Sequence, residues 1–221
     1  MKNKKQKTIN NIILFLVTII VILFWNSSFV FPIKLFVVLL HEISHGIIAI
    51  LTGGSIKVIN VSLNLGGVCV TKGGNNFFIA LSGYLGSLLW GTVLFITSYD
   101  FKQSKIVTTI FAAILVLVAI SFIKTDFGLI STLLFSAILY STSRVIKNKN
   151  FHLIFTRSIA FVSLLSVVTD IKEDLFNYQY RLTDSQNLEI ITGINSFVWG
   201  IIWLSVTLLV IFFLIKKYLC K

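Results

Sequence analysis

The sequence predicts an all-α polytopic membrane protein with about six to seven transmembrane helices and one short β-hairpin near residues 55–72. Three observations carry that expectation. Of 221 residues, 56% are hydrophobic and only 12% are charged, and the mean hydropathy is +0.94, more apolar than a soluble surface of this size allows. Apolar runs near the ~20 residues needed to cross a bilayer recur along the whole chain. The bases that give the formal charge of +11 sit at the termini and between those runs, as membrane topology requires, so nucleic acid is not an expected partner.

The elements follow in order. A basic stretch, Met1 to Lys7, precedes an apolar run from Ile9 to Trp25 that no A-x-A-like cleavage site follows, so it reads as a retained helix with its basic end cytoplasmic. Six further runs cover 33–52, 77–98, 106–123, 127–143, 153–169 and 194–215. That makes seven, yet Lys216, Lys217 and Lys221 mark the C-terminus as cytoplasmic too, and two cytoplasmic ends require an even number of crossings. The stretch 106–143, broken at Lys124 to Asp126, and a re-entrant passage near 77 are the segments open to another reading. Between 55 and 75, Val61, Leu63 and Leu65 alternate with Ser62 and Asn64 before Gly66-Gly67, which reads as a hairpin. Its edges must lie in the interface or against protein at a water-accessible cavity. Gly53-Gly54 fits a helix stop, and Gly83, Ser87 and Gly91 give the next helix a small-residue stripe for packing on its neighbour. One proline, Pro32, and no low-complexity stretch point to a single integral membrane domain, 1–221. Cys69 and Cys220 match no paired framework and read as free thiols.

The strongest chemical signal is His41-Glu42-Ile43-Ser44-His45, set within the apolar run Phe36 to Leu51. On a helix, positions i and i+4 share a face, so both imidazoles can reach one tetrahedral Zn²⁺. Glu42, the next residue round, is then placed as the general base that takes a proton from the attacking water and hands it to the leaving amine. That chemistry is peptide hydrolysis. Two alternatives use the same residues: a membrane metal or proton transport pathway, since intramembrane ionisable groups are costly and functional, and an inactive scaffold that binds membrane helices. The intact Glu42 argues against the scaffold.

Leu40-His41-Glu42-Ile43-Ser44-His45-Gly46, followed by Ala49 and Leu51-Thr52-Gly53-Gly54, resembles the site-2 protease family of intramembrane zinc metallopeptidases, in its compact form without a PDZ domain. A looser second block, Asp170-Ile171, Asp174-Leu175, Thr183-Asp184-Ser185, Thr192-Gly193 and Trp199-Gly200 with Trp203, is similar to the C-terminal pattern of that subgroup. The resemblance implies a transmembrane or membrane-anchored protein substrate, contact with the lipid bilayer, and a bacterial cytoplasmic membrane as the location.

A third ligand is needed if one position on zinc is to stay open. His152 begins a different run and reads as an interfacial side chain. Five of the eight carboxylates, Asp170, Glu173, Asp174, Asp184 and Glu189, fall within twenty residues, and the ligand is expected among them. Asp170 closes the run 153–169 and is the deepest, so it is the expected third ligand, with Asp174 and Asp184 as alternatives; Asp184 also reads as a helix cap. The chain lacks the Leu-Asp-Gly motif from which other branches of the family supply this ligand. Asn64, Asn75 and Asn76 are polar candidates for holding a substrate carbonyl or oxyanion, although asparagine beside glycine is ordinarily turn chemistry.

Overall fold

The computed structural model describes residues 2–176 and 182–219, with side chains from residue 12 onward. Cys220 and Lys221 lie outside the described residues, as do Met1 and the side chains of the basic N-terminal stretch. Eight helices run in order: α1 (Lys2–Leu23), α2 (Phe31–Leu51), α3 (Asn76–Thr97), α4 (Phe101–Phe122), α5 (Asp126–Tyr140), α6 (Lys149–Phe176), α7 (Asp184–Thr192) and α8 (Ser196–Leu214). Between α2 and α3 two antiparallel strands, β1 (Ser55–Val61) and β2 (Gly67–Lys72), form the hairpin. Single π-helical turns continue α5 through Ser141–Val145 and α8 through Ile215–Leu219.

Among the described residues, six helices are long and apolar enough to span a membrane: α2, α3, α4, α5 with its π turn, α6 and α8. Ile12–Leu23, within α1, is a shorter apolar stretch. Neither the 106–143 stretch nor the segment near 77 is a misread span: α4 and α5 are separate helices, and α3 is continuous from Asn76. Six such spans, if all cross, would put the end of α8 on the side where α2 begins. The spans turn large apolar side chains outward, among them Leu89, Leu117, Ile120, Ile130 and Phe213, all more than half exposed, which suits hydrocarbon and not water.

Local chemistry sets the boundaries. Pro32 occupies the first turn of α2, where its missing N–H is no loss. The helix stops at Gly53, whose φ of 87° a side chain would resist, while the Gly54 amide closes back on the Ala49 carbonyl at 2.7 Å. Asn75 caps α3 by accepting from the amides of Phe77 and Phe78, Asp100 caps α4 through Gln103, and Thr125 caps α5 through Gly128.

The hairpin folds back along α2. Ile59 and Val61 of β1 are buried, and the side chains of Ile56 and Ile59 pack over Gly46, where an added Cβ would force Ile56 to shift. Asn60 Oδ1 accepts from the Lys124 amide at 3.1 Å, pinning the hairpin to the α4–α5 connection. Asn64 accepts from Ser62 Oγ and the Gly66 amide, so its role is turn chemistry.

At the other end of α6 two buried polar residues fasten the bundle. The Arg157 guanidinium donates to Ser98 Oγ and carbonyl and stacks on the Tyr99 ring at 3.7 Å, locking the α3–α4 corner to α6. His152, in the first turn of α6, is fully buried and bonded to Ser104 Oγ at 2.9 Å, so its side chain faces the interior of the bundle. It stands eighteen residues, or ~27 Å of helix, from Asp170 and takes no part in the candidate site.

Candidate metal centre

His41 lies at the midpoint of α2, and Lys34, Val38, His41 and His45 form one stripe along that helix at spacings of four, three and four. All four line a cavity of about 620 Å³. α3 crosses beside them, and its glycines permit the approach: a Cβ on Gly83 would strike His41 Nε2, and one on Gly86 would strike Ser44 Oγ. The small-residue stripe is therefore shared between two neighbours, because Gly91 faces Leu164 of α6 instead of α2.

The two imidazoles converge. His45 Nδ1 meets the Ile79 carbonyl at 2.7 Å, and since a carbonyl only accepts, Nδ1 carries the proton and Nε2 keeps its lone pair for the cavity. Asp184 Oδ2 lies 2.8 Å from His41 Nε2 and 3.2 Å from His45 Nε2. Two ligands placed tetrahedrally at ~2.0–2.1 Å from an ion stand roughly 3.3 Å apart, so the donor set is close to the spacing that zinc demands. Among the described residues, His41, His45 and Asp184 are the group able to hold a metal, with ligand atoms all within 4.8 Å of one another.

Asp184 rather than Asp170 is thus the carboxylate brought to the histidines. Both line the cavity, together with Glu173 and Asp174, but α7 folds back from the end of α6 and delivers its first residue to the imidazoles. Asp184 is not the helix cap: Thr183 is, in a capping box with Gln186, which leaves the Asp184 side chain free to turn inward. Leu188, fully buried with Ile171, Tyr84 and Trp203, anchors α7 in place. Burial pushes the Asp184 carboxyl up, but His45 and then His41 beside it outweigh that and hold it below the usual carboxylate range. The sequence carried one signal for this residue, an acidic side chain directly after a threonine cap.

Glu42 is buried at the head of the site, and its environment is made by β2. A Cβ on Gly67 would collide with Glu42 Oε1, so the strand backbone lies directly against the carboxylate. Cys69, two residues along, also lines the cavity, and burial followed by the charge of Glu42 pushes its thiol up to about 12. On the opposite wall the buried Tyr84 sets its ring edge-on to His41 at 4.8 Å and donates its hydroxyl to Asp174. Asn76 lines the cavity, whereas Asn75 is committed to its helix cap.

A histidine pair, one buried and one partly buried, with a carboxylate at ligating distance, a second carboxylate beside it and a cavity roomy enough for several waters, in a bundle of helices long enough to span a membrane, define a membrane metallopeptidase-like centre. The Peptidase M50B-like family matches residues 13–214, and the chain belongs to that family, of the site-2 protease type. Neither the curated proteins nor the solved structures contain a match to the chain.

Proposed function

We propose that the protein is a zinc-dependent intramembrane endopeptidase that hydrolyses a peptide bond in or near a transmembrane segment of a membrane-protein substrate, in a bacterial cytoplasmic membrane. The observation that carries this reading is the placement of Glu42 and of the His41, His45 and Asp184 donors on one cavity whose wall includes a β-strand. His41, His45 and Asp184 would hold the ion. When bound, zinc supplies Lewis acidity to the scissile carbonyl and to the attacking water.

The chain's own residues do the rest. The Ile79 carbonyl fixes the His45 tautomer, so that Nε2 stays available to the ion. Glu42 accepts a proton as water attacks the carbonyl carbon and returns it to the departing amide nitrogen, which leaves as a neutral amine while the C–N bond breaks. Gly67 lets the strand pass close enough to enclose that carboxylate. A helical substrate hides its peptide bonds, and β2, with Gly67, Val68 and Cys69 on the cavity, offers the unwound segment a strand to pair with. Unchanged cleavage after proline substitutions along β2 would count against that pairing.

The test is metal content by mass spectrometry on detergent-purified protein, coupled to cleavage of membrane-spanning peptides. Wild type and Glu42→Gln should both hold near-stoichiometric zinc, with cleavage falling by about 10²–10⁴ in Glu42→Gln. His45→Ala and Asp184→Asn should lose the metal. Absence of zinc from the wild type, or a flux that Glu42→Gln abolishes while no peptide is ever cut, would refute the reading and favour transport.

A further inference from the structure

The cavity holds a second carboxylate that the chemistry above does not use. Asp170 sits within a membrane-spanning helix, where an ionisable side chain is costly and ordinarily functional. Among the described residues its carboxylate has no hydrogen-bond partner, and the charged groups acting on it are His41, Lys34, Glu173 and Asp174. Lys34 and His41 lie seven residues apart on one face of α2, and both line the same cavity as Asp170.

The two histidines are unequally supported. The Nδ1 of His45 is held by the Ile79 carbonyl, with Ser82 Oγ 3.4 Å away. His41 commits Nε2 to Asp184, and among the described residues its Nδ1 has no hydrogen-bond partner. A metal-ligating imidazole ordinarily donates its other N–H to a carboxylate, a carbonyl or a water, which fixes the ring and raises its basicity.

Resting on the metallopeptidase reading above, we propose that Asp170 is the outer carboxylate of the metal centre, orienting His41 through its Nδ1 by way of one water, while Asp184 supplies the ligand oxygen. Asp170 is then a positioning residue. One bridging water spans a gap too long for a direct bond at little cost. Lys34 balances the charge of Asp170 inside the apolar span, which accounts for a lysine on the cavity stripe of α2.

The experiment is zinc affinity, measured on the full-length protein in detergent by competition with a chromogenic chelator. Wild type, Asp170→Asn, Asp170→Glu and Asp184→Asn are compared, with the thermal transition of each in metal-free form. Asp170→Asn should still fill with one zinc at saturation but bind it about 10–100-fold more weakly, at an unchanged metal-free transition. Asp170→Glu, which restores a carboxylate, should recover part of that loss, and Asp184→Asn should not fill at all. An affinity for Asp170→Asn equal to wild type overturns the proposal, as does a loss that tracks a lowered metal-free transition. A variant Asp170→Asn that never fills, beside an Asp184→Asn that does, also overturns it by making Asp170 the ligand. Those results arise with a wild type that binds zinc tightly and leave the metallopeptidase reading standing; a wild type that takes up no zinc refutes both.

Discussion

Replacing Gly83 by alanine should abolish tight zinc binding while leaving the bundle folded. The added Cβ would lie 2.6 Å from Asp184 Oδ2 and closer still to His41 Nε2 and Cε1, where ordinary contact begins at 3.4 Å. Asp184 would have to retreat by about 0.8 Å and His41 by more, against a tolerance of ~0.2 Å in metal–ligand distances. Two of three ligands are displaced together, so the dissociation constant should rise by at least ~100-fold, or ~2.7 kcal/mol. Helix propensity works the other way, since alanine is better than glycine in a helix interior by ~1 kcal/mol, so α3 itself is not weakened. Gly91→Ala is the control on the same helix: its Cβ is tight only against the Leu164 side chain, at 3.0 and 3.1 Å, which can yield by a few tenths of an ångström, and meets the Ala160 carbonyl at an ordinary 3.5 Å. Competition with a chromogenic chelator on purified protein, with the thermal transition alongside, gives the answer. A Gly83→Ala protein whose zinc affinity stays within about threefold of wild type would show that α3 does not press on the ligands, and the arrangement described for the site would be wrong.

Other outcomes follow from the same geometry. Gly67→Ala should keep its zinc but lose about 100-fold in turnover, because the new methyl displaces Glu42 and not a ligand; loss of metal in that variant would contradict the assignment of roles. Cys69, with its thiol raised from 9.0 to about 12, stays protonated at neutral pH, and its thiolate fraction is about a thousandfold below that of an ordinary cysteine. Alkylation at pH 8 should accordingly be slow in the folded protein and fast once it is denatured, and equal rates would refute the packing of β2 against Glu42. Asn75→Ala should cost about 1 kcal/mol of stability by removing the α3 cap, with zinc retained, whereas Asn75→Asp should be nearly silent; loss of cleavage without loss of stability would return Asn75 to the catalytic candidates.

What could be read from the sequence tracks the range of the forces involved. Hydropathy is a local property that sums over a helix, so the apolar runs from 33 to 215 became α2, α3, α4, α5, α6 and α8, with α6 extending well past the run 153–169 to cover Lys149–Phe176. The hairpin was legible as a break in helical character at Gly66-Gly67, but the alternating residues 62–65 form its turn, and the paired strands lie to either side of them. His41, Glu42 and His45 were legible as a constellation because one helix carries all three. The partner carboxylate was not, because depth in the membrane was the only available criterion and it favours Asp170, whereas the deciding fact is the return of α7 towards α2. The residues around Asp184 encode the start of α7 but not where α7 docks. That depends on Leu188 finding Ile171, Tyr84 and Trp203, residues from three other helices.

The span of chain between the histidines and Asp184 bears on when the protein first becomes able to act. His41 and His45 are synthesised with the first of the long apolar helices, and Asp184 follows only after four more have been made, with α8 still to come to hold α7 through Trp203. At ~5–20 residues per second the ribosome separates the two halves of the site by about 7–28 seconds. During that interval an inserted but incomplete chain carries two imidazoles and a glutamate without the third donor. The three donors therefore come together only once α7 has folded back on α3, so the site is assembled late in the folding of these helices.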